Sequence, residues 1–272
     1  MAAPAPVPQR PLDRRALLTE TTLVLLLSLG ASAIWSILSI INKLTLQVSL
    51  AQQTTAMNSA VTPDRPWLDL TYQLVRLTLA LVPVALVLHL LRRDASATSD
   101  TAFGESKRWT GFQGLGLDFR RPGHDLLTGA GLAAVIGIPG LGLYVAARAL
   151  NLNTTIAAAN LGEHWWTVPV LILAALENAV LEEVVVVAYL FRRWTQAGWS
   201  PTRIIVTSAL IRGSYHLYQG FGGFVGNAIM GLIFGWLYTR TKRVMPLVIA
   251  HTILDIVAFV GYALLRDHLT WL

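Results

Sequence analysis

The chain has 272 residues, of which 54% are hydrophobic and only 13% charged, and its mean hydropathy is +0.55. A soluble globular domain carries about 25% charged residues, so this composition describes a polytopic membrane protein of one helical bundle. The absence of cysteine excludes disulfides, thiol nucleophiles, cysteine-type zinc sites and iron–sulfur clusters. The net charge of +6 is no argument for a nucleic-acid partner, because the basic residues sit in short loops between apolar runs, where they set membrane topology.

Residues 1–19 are Pro-rich and basic and read as a disordered cytoplasmic tail, with 20–272 as a single transmembrane domain. The first apolar run covers 23–41. Its Ala31-Ser32-Ala33 resembles a signal-peptidase site, yet apolar residues continue to Ile41 and complete the roughly 20 residues a span needs, so a retained helix is expected. A polar loop over 42–70, with Pro63 and Pro66, leads to a second span over 72–91. Trp67 and Tyr72 are its interfacial anchors, and Arg76 is within snorkelling reach of the edge.

A basic, Gly-rich loop follows over 92–125, with Lys107, Arg108, Arg120 and Arg121. The third span, 126–147, holds Gly129, Gly131, Gly137, Pro139, Gly140 and Gly142. Nothing basic or hydroxylated follows at phosphate-loop spacing, so these are read as small residues that let membrane helices approach. After a polar loop over 148–165, the fourth apolar stretch runs over 166–191 and contains Glu177, Asn178, Glu182 and Glu183. It is long for one span, so a tilt or a break is expected. Further spans are expected over 204–218, 224–238 and 244–265, giving an all-α bundle of seven spans. With a cytoplasmic N-terminus, only Lys43, Arg65, Arg148 and Arg266 of the 21 basic residues fall outside. Arg76 and Arg212 lie within spans and the rest fall inside, the bias expected of a multi-pass protein of the cell membrane.

Charged groups at membrane depth cost about 3 kcal/mol on insertion scales and more in simulation, so they mark function. Three of the expected helices carry them: Glu182-Glu183, Arg212 with His216, and His251 with Asp255. At about 1.5 Å per residue, Glu182 and Asp255 each lie roughly 15 Å from the basic residues ending their helices, and His251 and His216 fall in the same middle zone. His251 and Asp255 are four apart and share a helix face, as do Arg212 and His216, and Asn178 and Glu182. Glu183 is turned about 100° from Glu182, so only one of the pair need face the site.

Such groups can activate water. A carboxylate accepts a proton from water and passes it to a leaving amine, while an imidazole hydrogen-bonds a developing oxyanion. His216, His251 and Glu182 could also hold a divalent metal such as zinc, making the site a metalloprotease centre; a metal-free glutamate mechanism uses the same groups. Tyr215 and Tyr218 flank His216 and could donate to a carbonyl or anchor the helix end. A proton-coupled transporter uses the same residue types, but no paired broken helices are present. There is no His-Glu-x-x-His, no Gly-x-Ser-Gly around Ser214 and no Gly-x-Gly-Asp.

At these residues the chain resembles the CPBP family, the CAAX-protease and bacteriocin-processing (Abi) intramembrane proteases. That family's pattern is a Glu-Glu pair with an Arg four residues after the second Glu, then Phe-x-x-x-His, then His-x-x-x-Asn/Asp. Here the motifs read Glu182-Glu183-Val184-Val185-Val186-Val187, Arg212-Gly213-Ser214-Tyr215-His216 and His251-Thr252-Ile253-Leu254-Asp255, with a catalytic core over about 166–262. Val187 stands where the family has Arg, and Arg212 where it has Phe. Arg212 can supply the missing charge from the neighbouring helix by pairing with Glu183 or Glu182. The resemblance implies an intramembrane endopeptidase acting on a membrane-associated protein or peptide. Glu182 and Glu183 would activate water beside His216 and His251, Asp255 would hold the site or its oxyanion, and Arg212, Asn178 and Tyr215 would support them. A catalytically silent scaffold or immunity protein of the same family is the alternative.

Overall fold

The computed structural model describes residues 13–95, 111–266 and 268. Most of the tail expected over 1–19, and the middle of the basic loop expected over 92–125, lie outside them. From Arg14 onward the chain is helical. The side chain of Asp13 accepts from Arg15 N at 3.3 Å and caps α1 (Arg14–Leu26). Glu20 and Thr21 on α1 are hydrogen-bonded to Arg193 and Trp194, which ties the helix to the bundle and explains why no tail extends to residue 19.

The single first span is in fact two helices, α1 and α2 (Leu29–Thr45), bent by 56°. Ser28 sits at the bend, and its hydroxyl donates to Val24 O at 2.7 Å, the back-bonding that bends helices. Helices α3 (Pro66–Ala80) and α4 (Val82–Ala95) follow, the first starting earlier than expected because Pro66 occupies a favoured first-turn position. Helix α5 is Pro122–Ala149. The next helical rod is built from α6 (Thr167–Glu182), a π-helical segment (Glu183–Tyr189) and α7 (Leu190–Gln196). Helices α8 (Pro201–His216), α9 (Phe221–Thr241) and α10 (Met245–Leu265) complete the bundle.

Among the described residues, four helical stretches are long and apolar enough to cross a membrane: Pro66–Arg93, Pro122–Ala149, Phe221–Thr241 and Met245–Leu265; the bent α1–α2 pair makes a fifth. The two remaining rods, α6–α7 and α8, carry Glu177, Glu182, Glu183, Arg192, Arg193 and Arg212, all buried.

The fold is not purely helical. Strands β1 (Thr54–Ala56) and β2 (Thr155–Ala157) pair in parallel, with Thr54 opposite Thr155 and Ala56 opposite Ala157. This small sheet ties two polar loops to the turn after His216. Thr154 donates from both N and Oγ1 to Gln219 O at 2.9 Å, and Lys43 Nζ donates to Tyr218 O at 2.6 Å.

Small residues set the helix spacing. A Cβ on Gly129 would lie 2.5 Å from Ile249 Cγ2, and one on Gly137 2.8 Å from Leu254 Cδ2, so these two let α5 meet α10. Gly131, Gly140 and Gly142 face no atom within 4 Å, and the packing role read for them does not hold. A Cβ on Gly231 would lie 2.9 Å from Ala209 Cα, and this close α8–α9 approach helps enclose Arg212. The core is centred on the π segment, whose residues are all buried.

Candidate active site

The break expected in the long fourth helix is the π segment that begins at Glu183. Four consecutive valines are stiff at χ1 and crowd a regular α-helix. Ser208 on α8 donates to Val186 O at 2.8 Å and so satisfies a carbonyl of the segment. Single π turns inside α-helices recur at functional sites. Here the segment lets both carboxylates reach the site, whereas regular α geometry predicts that only one need do so.

Glu183 is the fully buried member of the pair. Its Oε1 accepts from Arg212 Nη2 at 2.7 Å and lies 2.8 Å from His251 Nδ1. Arg212 is also fully buried, with its guanidinium carbon 5.5 Å from the ring centre of Phe234 and its Nη1 3.9 Å from Glu182 Oε2. The arginine missing at Val187 is therefore matched by one arriving from α8, while Val187 itself packs in the apolar core.

Glu182 Oε2 accepts from the Tyr215 hydroxyl at 2.7 Å, and its Oε1 lies 3.8 Å from His216 Nε2. That imidazole nitrogen is buried and has no hydrogen-bond partner within the protein. On α10, His251 Nε2 is 3.8 Å from Asp255 Oδ2, and the same oxygen accepts from Asn178 Nδ2 at 3.2 Å. A polar chain thus runs from Arg212 through Glu183, His251 and Asp255 to Asn178, crossing α8, the π segment, α10 and α6.

Glu182, Glu183, Asn178, Arg212, Tyr215, His216, His251 and Asp255 meet here, together with one residue that was missed. Gln219 has its Nε2 3.4 Å from His216 Nδ1 and donates to the Tyr218 hydroxyl at 3.1 Å. Nothing in the sequence marks Gln219 beyond its position three residues after His216. Tyr218 stacks on His216 with ring centres 6.5 Å apart, and its hydroxyl is engaged by Gln219.

Glu182, Glu183 and His251 each offer a metal-ligand atom within 4.8 Å of the others, so Glu183 stands where His216 was expected in a metal set. Glu183 Oε2 is buried without a hydrogen-bond partner and is open to a divalent cation, but the neighbouring charges oppose one. Glu183 Oε1 already faces two nitrogens, and the buried Arg212 guanidinium beside both carboxylates would repel an ion placed between them.

The fold and the site together describe a helical membrane protein with a buried carboxylate–imidazole centre. Residues 164–257 match the family model Rce1-like, described as type II CAAX prenyl endopeptidase Rce1-like. The match agrees with the CPBP/CAAX-protease resemblance of the three motifs and spans Glu182, Glu183, His216, His251 and Asp255. No curated protein and no solved structure matches the chain.

Proposed function

We propose that the protein is an intramembrane endopeptidase that hydrolyses a peptide bond of a membrane-associated protein or peptide, with glutamate-activated water as nucleophile. The observation that carries this reading is the pairing of Glu182 Oε1 with the unpartnered His216 Nε2 at 3.8 Å, a separation at which one water can hydrogen-bond both groups. Glu182 takes a proton from that water as the oxygen attacks the scissile carbonyl. The same proton then passes from Glu182 to the departing amine nitrogen.

Tyr215 fixes the Glu182 carboxylate by donating to its other oxygen. Glu183 holds His251 in place and is itself held by Arg212. The resemblance puts oxyanion stabilisation on the His251–Asp255 side. Asp255 is an acceptor in this chain, and Asn178, whose amide already faces it, supplies N–H donors there. No step requires a metal.

In this reading the α6–α7 rod and α8 join the five apolar candidates as spans. Seven spans result, with the N-terminus in the cytoplasm and the chain in the cell membrane. Helices α6 and α8 have 16 residues each, the π segment divides the first rod, and their buried charged side chains are turned into the bundle. The bilayer and a membrane-associated substrate are the expected partners. The transporter and silent-scaffold alternatives gain no support from the fold or from the family match.

The test is a comparison of membrane-protein termini in cells expressing wild type or Glu182→Gln. New termini present only with wild type support the reading. Identical termini, with both proteins inserted to the same level, would end it.

A further inference from the structure

One buried carboxylate has no task in this mechanism. Glu177 on α6 is 9% exposed, and its Oε1 is buried without a hydrogen-bond partner. It precedes Glu182 by five residues, about 7.5 Å toward the Trp166 end of the helix on a 1.5 Å rise. It is turned about 140° round the helix from Glu182, and its charge contacts with Glu182 and Asp255 place it beside the site rather than in line with Glu182. The charged groups acting on it are Glu182, Arg76 and Asp255. Two of the three repel a carboxylate. Arg76 is exposed on α3 and no hydrogen bond from it reaches Glu177 Oε1.

This end of the site is therefore acidic, whereas the Arg212 end is compensated. A buried carboxylate without a partner is strongly destabilising, and native chains rarely keep one without use. Groups of this kind inside a membrane protein are retained for a cation or proton that arrives during function. An interhelical hydrogen bond, the ordinary structural use of such a residue, would have left Oε1 paired.

We propose that Glu177 is a specificity-determining residue that receives the positively charged side chain of a lysine or arginine in the substrate. An extended peptide advances about 3.3–3.6 Å per residue, so the axial rise from Glu182 to Glu177 corresponds to a basic residue within about three positions of the scissile bond. Such a side chain buries its methylenes along the apolar helix faces and delivers its charge to the carboxylate. This inference rests on the protease reading.

The test adds Glu177→Gln to the terminus comparison, using the full-length chain in cells. Termini that depend on Glu182 should be enriched in Lys or Arg within three positions of the cleaved bond. With Glu177→Gln, cleavage at those sites should fall about tenfold relative to sites lacking a basic residue, a loss of about 1.4 kcal/mol in transition-state binding. Equal cleavage at both kinds of site, or a uniform loss at both, overturns the inference and leaves the protease reading standing. Absence of any Glu182-dependent terminus overturns both. Thermal unfolding of the purified proteins gives a second readout. Glu177→Gln should unfold at or above the wild-type temperature, because an unpaired buried charge is removed. Unfolding below the wild type would show a structural partner for Glu177 and overturn the assignment.

Discussion

Arg212 Nη2 and Glu183 Oε1 are 2.7 Å apart, and both side chains are fully buried. The contact joins α8 to the π segment and places a permanent cation beside a catalytic-type carboxylate pair. In the family pattern the arginine follows the second glutamate on the same helix. Here Val187 fills that place with apolar core, and the charge crosses from the neighbouring helix. We propose that the two departures from the motif compensate one another.

Removing one member of this pair strands the other. Arg212→Ala and Glu183→Ala should each cost about 3–5 kcal/mol, read as a lowered unfolding temperature in detergent. The charge-swapped double variant, Arg212→Glu with Glu183→Arg, should recover part of that loss but no activity, because His251 would then face an arginine. A double variant no more stable than either single one would show that the pair is not the stabilising contact.

Tyr215 and Tyr218 both flank His216, yet only one hydroxyl reaches a carboxylate. Tyr215 donates to Glu182 Oε2 at 2.7 Å, whereas the Tyr218 hydroxyl meets Gln219. Tyr215→Phe keeps the ring packed 4.9 Å from the His216 ring and removes only the hydrogen bond. Turnover should fall about 10–100-fold with KM little changed, while stability drops by about 1–3 kcal/mol. Tyr218→Phe should stay within a few-fold of wild type. Equal effects of the two would remove the positioning role from Tyr215.

The site was legible in the sequence because ionisable residues in apolar helices are conspicuous and their spacing fixes shared faces. His251 with Asp255 and Asn178 with Glu182 follow from helical periodicity, and the Arg212 partnership follows from a charge missing at Val187. What was not legible depends on tertiary contact. The valine run marks a stiff stretch, but the π segment it forms also depends on the Ser208 contact from α8, and this segment lets Glu182 and Glu183 reach one site. The bend at Ser28 needs a side-chain hydroxyl turned onto Val24 O, and the β1–β2 pair joins two short Thr-containing segments far apart in sequence. Glu177 is visible in the sequence as a charge, but only the fold shows its Oε1 buried without a hydrogen-bond partner.

A second charged cluster sits at the N-terminal ends of α5 and α10. Arg243 Nη2 is 2.6 Å from Asp125 Oδ2 and 3.0 Å from Asp118 Oδ1, which ties the segment before α10 to both acids. Burial works to raise the Asp118 carboxyl, but its hydrogen bonds and charge contact with Arg243, together with the Arg120 N–H, hold it below its ordinary value. A carboxyl depressed by folding adds stability above its unfolded value, near 4, and loses it as pH falls through the folded value. Asp118→Asn should therefore unfold more easily at pH 7, by about 1.5–3 kcal/mol for the charged hydrogen bond. The gap from wild type should narrow below about pH 4. A gap independent of pH would assign the loss to packing instead.

Arg212 also bears on metal dependence. Glu182, Glu183 and His251 are close enough to hold an ion, with ligand atoms within 4.8 Å of one another. The guanidinium already lies 2.7 Å from Glu183 and 3.9 Å from Glu182, and a divalent cation would have to displace it or sit against it. Both outcomes are costly in a buried site. Activity of the purified full-length protein, followed with a substrate identified from its own cleavage products, should stay within about twofold after exhaustive chelation, since no transition-state contact is lost. Elemental analysis should find less than one zinc per chain. Arg212→Met removes the competing cation and should increase zinc binding by the three-ligand set. Stoichiometric zinc in the wild type, with activity lost on chelation and restored by zinc alone, would overturn the metal-free mechanism and make His251 and the two glutamates ligands.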